Sequence, residues 1–237
     1  MVPDAVLRLI SSRNWSKVVV LAGAGLSAAS GIPTFRGAGG YYQGQDAASL
    51  ALREGFTSNP VLVWNWYAMR IRAVRGAEPN AGHQAMAELG GVVLTSNVDD
   101  LLDRVGVPAL RLHGNILEMR GVESGEVCEV NDRDWPEEFD YETLPRLVSG
   151  EMARPNVVWF GEYPWRAPFE VIEGLAGDEV FVEVGTSGVV SYGFTEEAAR
   201  RGCGVIRVNQ EARGGNGIVN WTGLSEEILP ELVQLLM

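Results

Sequence analysis

Apolar positions along this chain change their period from one stretch to the next, and each change marks an element. Residues 4–12 alternate as a short amphipathic helix that Asp4 can cap. "KVVVLAG" (17–23) is an unbroken apolar run, as in a strand buried on both faces. Helical stretches follow at 46–56 and 59–76, the second with Trp64, Tyr67 and Ile71 at helical spacing. A helix over 80–89 leads to a strand over 91–95, a helix over 99–106 and a strand over 109–114. From about Met119 to Ala153 the pattern decays into short acidic pieces broken by Pro and Gly. Order returns with "NVVWF" (156–160), a strand over 179–185, a helix over 195–202 and a strand over 204–209. The last helix, 225–236, carries Pro230 early enough to tolerate it. Strands alternating with helices predict an α/β fold with a Rossmann-like parallel sheet. That part takes approximately 1–40, 77–118 and 154–237; insertions at 41–76 and 119–153 form a smaller lobe of the same domain.

Composition narrows the function classes. A chain of 237 residues buries enough surface to need no staples. A net charge of −12 opposes broad contact with a phosphate backbone, so no nucleic-acid partner is expected. No apolar stretch approaches the length of a membrane span, and the N-terminus has no signal core. Cys128 and Cys203 are far apart and outside any C-x-x-C pair, which gives neither a disulfide framework nor a zinc knuckle. The expected location is cytoplasmic.

The chemistry starts at "VLAGAGLSAASGIPTFRG" (20–37). Gly23, Gly25 and Ala28 match G-x-G-x-x-[GA] straight after a strand and opening a helix, the setting in which backbone N–H groups cradle a pyrophosphate. A dehydrogenase would place an acidic residue at the end of a strand about 20 residues on. Here that interval, "PTFRGAGGYYQGQD" (33–46), contains no strand. The expectation is a bound dinucleotide without hydride transfer.

"GAGLSAASGIPTFRG" resembles the opening motif of the sirtuins, NAD-dependent protein-lysine deacylases. "PNAGHQAM" (79–86), "TSNVDDLL" (95–102), "LHGN" (112–115), "RPNVVWFGEYP" (154–164), "VGTSGVV" (184–190) and "VNQE" (208–211) agree in order, so the resemblance covers nearly the whole chain. It implies NAD as cofactor and acylated lysine side chains of proteins as partner. It also implies cleavage of the nicotinamide–ribose bond and release of free lysine and O-acyl-ADP-ribose. By resemblance Phe35 shields the sugar, Arg36 helps hold the phosphates, and Asn97 and Asp99 organise the nicotinamide pocket. The same resemblance implies that His113 is the general base on a ribose hydroxyl, a role the ordinary histidine pKa suits. Ala22, Ala24, Pro33, Thr34, Ser96 and Val98 join the cofactor site, with Gly185, Thr186 and Ser187 as a phosphate- or ribose-binding turn. Asn209, Gln210 and Glu211 reach the adenosine ribose, Glu211 supplying the acidic group missing after the first turn. Val158, Phe160, Gly161 and Glu162 match the segment that pairs with substrate backbone as an added strand. His83, in mid-helix, is given a packing role only.

Tyr67 and Arg70 lie at i,i+3 on one helix and so share a face. They match the Y-x-x-R signature of sirtuins that remove succinyl, malonyl and glutaryl groups, whose terminal carboxylate an arginine fork and a phenol can satisfy. Ala38 matches the small residue that widens this acyl pocket. Two positions depart from the family. Its two C-x-x-C zinc pairs fall here near Gly121 and Ser124, and near Arg146 and Ser149, so no metal is expected. Trp135, Phe139, Tyr141 and Leu144 are expected to hold that lobe instead. Ser96 stands where the family carries glutamine, which bears on rate rather than reaction type. The alternatives are a plain deacetylase, an NAD hydrolase or ADP-ribosyltransferase, and an NAD-binding protein without catalysis. The segment "VVWFGE" and the Tyr67–Arg70 pair oppose the second, and Asn97, Asp99 and His113 together oppose the third.

Overall fold

Every position of the apolar run Val18–Ala22 is buried. It is the inner strand β1 of the computed structural model, which describes residues 1–34 and 48–237. Helix α1 (Asp4–Ser12) precedes it; α2 (Arg53–Ser58), α3 (Pro60–Gly76), α4 (Ala81–Leu89), β2 (Val92–Thr95), α5 (Leu101–Arg104) and β3 (Ala109–Arg111) follow. Next come β4 (Gly114–Gly121), β5 (Val127–Glu129), β6 (Ala153–Val157) and α6 (Ala167–Glu173). The chain ends with β7 (Val180–Val184), α7 (Phe194–Arg200), β8 (Gly204–Asn209), β9 (Ile218–Thr222) and α8 (Ser225–Leu236). Six strands pair in parallel in the order β3-β2-β1-β7-β8-β9. The fold is α/β, as the alternating pattern predicts.

Both faces of this sheet are covered, which is why its strands read as continuous apolar runs. Met86 of α4 and Ile228, Leu229 and Leu232 of α8 pack with Val20 and Val182 on one face. Ile172 of α6 and Phe194 and Ala198 of α7 pack with Leu21 and Phe181 on the other. A separate core joins α2 and α3 to β4 and β6 of an antiparallel sheet ordered β5-β4-β6. Trp64 of α3 is fully buried there, its Nε1 donating to the Ala153 carbonyl at 2.9 Å. Its ring meets Trp135 and Phe139 edge-on at 5.7 and 6.2 Å. Phe139 and Leu144 are buried as expected, each contributing roughly 1.5–3 kcal/mol of apolar burial. Tyr141 is not; it is 63% exposed and contributes no core.

Several elements differ from the sequence pattern for identifiable reasons. After β1 the chain makes two 3₁₀ turns, Ala24–Leu26 and Ala28–Ser30, where the motif predicts a helix. Gly31 (φ 84°) ends the second, and Pro33 bars continuation. The described part of the expected 46–56 helix breaks at Leu52, which is extended and bridges Phe160. Asp4 is the first residue of α1 rather than its cap, its charge facing the positive end of the helix dipole. β4, β5, α6 and β9 have no counterpart in the pattern: β4 is bulged, β5 has three residues, α6 carries Pro168 in its first turn, and β9 is a half-buried edge. In "NVVWF", where order returns, only Asn156 and Val157 are strand, the end of β6, because Trp159 N–H turns aside to the Glu162 carboxylate at 2.9 Å.

His83 does more than pack. Asn80 Oδ1 accepts from Gly82 and His83 N–H at 2.8 and 3.4 Å, while Asn80 N–H donates to His83 Nδ1 at 3.2 Å. This reciprocal cap opens α4. The ring is fully buried, and burial pulls its pKa down to about 4. In the unfolded chain it titrates near 6.5, so the contribution of neutral His83 is complete above that pH and is lost as pH falls towards 4. At about 1.36 kcal/mol per unit this is about 3 kcal/mol. Urea unfolding at pH 7 and pH 4 should show wild type losing that much more stability than His83→Gln, which keeps an acceptor but cannot charge.

Candidate functional site

The strand order reverses beside β1: β2 and β3 lie on one side, β7 to β9 on the other. Loops from the carboxyl ends of these strands diverge there and open a crevice, the usual ligand position in such sheets. It is a cavity of about 880 Å³. Ala24, Gly25 and Thr34 line it from the first loop, Gly185, Thr186 and Ser187 from the loop after β7, and Asn209, Gln210 and Glu211 from the loop after β8. Gly25 N–H donates to the Gly185 carbonyl at 2.7 Å, and a Cβ on Gly25 would stand 2.7 Å from Gly185 Cα. Glycine at both positions lets the two loops pack backbone to backbone at the cavity wall. Asn209 Nδ2 donates to the Thr186 carbonyl at 2.7 Å and ties two loops together. Ala22 is fully buried behind this wall, its carbonyl accepting from Ser96 N–H at 3.0 Å. Gly23 N–H is held by the Val184 carbonyl at 2.9 Å.

A smaller pocket adjoins it, lined by Pro33, Asn97, Val98 and Asp99 among others. Asn97 Nδ2 donates to the Gly23 carbonyl and to Ser27 Oγ, both at 3.1 Å. Ser27 Oγ donates onward to Asp99 Oδ2 at 3.0 Å, and His83 Nε2 lies 3.5 Å from the same oxygen of Ser27. Burial pushes the Asp99 carboxyl above its usual range, against the opposing pull of the Leu101 N–H and Ser27. Among the described residues no donor reaches the buried Asn97 Oδ1. An orphan acceptor beside a carboxyl complements a carboxamide, the polar group of nicotinamide.

His113 ends the β3 segment and lines the large cavity with Ser96 and Val98. Gly114 follows at φ 83°, where a Cβ would strike the Asn156 carbonyl at 2.1 Å, so only glycine lets the chain turn directly into β4. His113 Nδ1 sits 3.1 Å from the Ser96 carbonyl, an acceptor only, so Nδ1 carries the hydrogen and Nε2 the lone pair. Burial pulls its pKa below the ordinary imidazole value, opposed by the Ser96 carbonyl.

Tyr67 and Arg70, 1% and 4% exposed, line the same cavity. The Arg70 guanidinium lies 4.5 Å from the Trp66 ring centre and 5.0 Å from that of Tyr67. Trp159 Nε1 donates to the Tyr67 hydroxyl at 3.0 Å. Burial pushes the Tyr67 phenol up, against the charge of Arg70. Val158, Phe160, Gly161 and Glu162 also line the cavity. Three of their donors are engaged within the chain: Val158 N–H to the His113 carbonyl, Phe160 N–H to Ala51 and Glu162 N–H to Trp159. The Glu162 carboxylate is taken by both terminal nitrogens of Arg154, at 2.5 and 3.1 Å. Phe35, Arg36 and Ala38 lie outside the described residues.

Ser27, Tyr192 and Trp159 belong to the site but carried no assignment from the sequence. Ser27 stands inside the opening motif and Trp159 inside "VVWFGE", the available signals; Tyr192 stands out only in three dimensions.

A model of the Sir2 family matches residues 23–192. An NAD-dependent protein deacylase of Deinococcus radiodurans is 42% identical over 212 residues, 83% of this chain and 84% of the relative. One from Mycobacterium tuberculosis is 36% identical over 234 residues, 93% of this chain and 98% of the relative. The crystal structure of a Sir2 homologue–NAD complex is similar with a TM-score of 0.84 at 31% identity, covering 100% of this chain and 94% of that one. With a family model over most of the chain, these relatives and a matching fold, the chain belongs to the Sir2 family.

Proposed function

We propose that this Sir2-family enzyme is an NAD-dependent protein-lysine deacylase that prefers acyl groups ending in a carboxylate: succinyl, malonyl and glutaryl. The observation that carries this reading is the buried Tyr67–Arg70 pair in the wall of the cavity that also holds His113. A buried guanidinium beside a phenol suits a carboxylate, whereas an acetyl methyl makes no use of it. When bound, NAD supplies a ribose carbon that becomes electrophilic as nicotinamide leaves, and the products are nicotinamide, free lysine and O-acyl-ADP-ribose. Gly25 and Gly185, whose own N–H groups are taken by the Gly185 and Val208 carbonyls, bring two loops backbone to backbone beneath the phosphates, Thr186 and Ser187 face them, and Glu211 accepts from the adenosine ribose. Asn97 Oδ1 and Asp99 orient the carboxamide. His113 Nε2 takes the proton of a ribose hydroxyl, and its Nδ1–H bond to Ser96 keeps the ring in the basic tautomer. Phe160 and Trp159 screen the acyl end from water. Nicotinamide release measured with and without acyl-peptide tests the reading: release should require peptide and match deacylation one for one. Peptide-independent release would favour a hydrolase.

The whole chain acts, on this reading, as one catalytic domain whose small lobe needs no zinc. Where the family's cysteine pairs would fall, the Glu151 carboxylate accepts from Glu123 and Ser124 N–H at 2.6 and 3.0 Å. Val122 N–H donates to the Met152 carbonyl at 3.1 Å and completes the clasp. Among the described residues no group of three or more His, Cys, Asp and Glu could hold a metal ion. Purified protein should contain less than stoichiometric zinc and retain its activity after exhaustive chelation; one zinc per chain by elemental analysis would refute this.

A further inference from the structure

Tyr192 is the only non-glycine residue with positive φ among the described residues, at 53°. Tyrosine rarely adopts this backbone, which persists only where surrounding contacts over-determine it. Its ring lies 5.2 Å from Phe169 and 6.0 Å from Phe194, centre to centre. Its hydroxyl lies 3.0 Å from His113 Nε2. The residue is 46% exposed and lines the large cavity, so it is anchored on one side and open on the other.

The donor and acceptor follow from the tautomer. His113 gives its Nδ1–H to the Ser96 carbonyl, which leaves Nε2 as acceptor. Burial holds the Tyr192 phenol above its ordinary value, so it keeps its proton and donates. An imidazole nitrogen offers one lone pair in the ring plane. While Tyr192 fills it, Nε2 cannot receive a proton from any other hydroxyl.

We infer that Tyr192 is a positioning residue whose hydroxyl occupies the acceptor atom of His113 and competes for that atom with the cofactor ribose. The inference rests on the reading of His113 as the base. The phenol stands in for the ribose hydroxyl, holding the ring in its working orientation and competing with the cofactor for it. Ceding that atom needs only a side-chain rotation on an exposed loop residue, not a rearrangement of the fold.

Tyr192→Phe keeps the ring and removes only the competing donor. Calorimetric titration with NAD should give a Kd lowered roughly three- to tenfold, the worth of one neutral hydrogen bond. KM for NAD should fall alike, while kcat holds. The chain has two histidines, so His113 is readily assigned by NMR with His113→Ala as reference. Its C2 proton should shift between wild type and Tyr192→Phe in the free enzymes and coincide in the NAD complexes. A Kd unchanged within about twofold overturns the proposal whatever the resonances do. A fall in kcat at unchanged Kd also overturns it, since the hydroxyl would then take part in turnover. Failure of the base reading is separate: it would appear as normal turnover in His113→Ala, with the Tyr192→Phe shift still present in the free enzyme.

Discussion

Arg70→Met is expected to lower kcat/KM for succinyl- and malonyl-lysine peptides by two to four orders of magnitude and to leave acetyl-lysine turnover nearly unchanged. Arg70 is 4% exposed, and its guanidinium is fixed over two aromatic rings beside the Tyr67 hydroxyl. A carboxylate drawn into this wall without its cation loses roughly 3–5 kcal/mol, because it stays desolvated and unpaired. At about 1.4 kcal/mol per tenfold, that is the stated loss. Methionine fills similar volume, so packing on Trp66 is largely kept. The ratio between substrates is what decides, since misfolding would depress both activities together. Equal losses on the two peptides would refute the carboxylate clamp.

The second large effect is on the base. His113→Ala should reduce kcat by about 10²- to 10⁴-fold, the usual worth of a positioned general base, with the fold retained. Burial holds His113 below the ordinary imidazole value, so in wild type it is already unprotonated at neutral pH. The acidic limb of kcat/KM, where protonation disables the base, should therefore lie below the ordinary histidine range. That limb should vanish in the alanine variant. Near-normal turnover by His113→Ala, or an unchanged limb, would mean that another group takes the proton.

Much of this site was legible before any coordinates, for physical reasons. Buried parallel strands need apolar runs, so β1, β2, β7 and β8 announced themselves, and the glycines after β1 and β7 marked where two loops meet at the crevice. What stayed hidden depends on tertiary contact. Glu183 and Arg207 interrupt apolar strands with no local partner, yet they pair at 2.9 Å with side chains 1% exposed. No spacing rule joins residues on neighbouring strands of a crossover sheet. His83 read as a packing residue because its partners, Asn80 and Ser27, act through a cap and a distant loop. Tyr192 follows the "GTSGVV" motif and carries no signal of its own; its importance comes from a left-handed backbone and one hydrogen bond. The opening turn misled in the other direction: its helix signature is real, but Gly31 and Pro33 cut the helix to two short turns.

The central claim is tested most directly on the wild-type enzyme. Matched peptides bearing succinyl-, malonyl- or acetyl-lysine would be incubated with NAD, and free lysine peptide and O-acyl-ADP-ribose followed by mass spectrometry. NAD-dependent release of the succinyl and malonyl groups with higher kcat/KM than acetyl is the result this account predicts. Equal or faster removal of acetyl would contradict it.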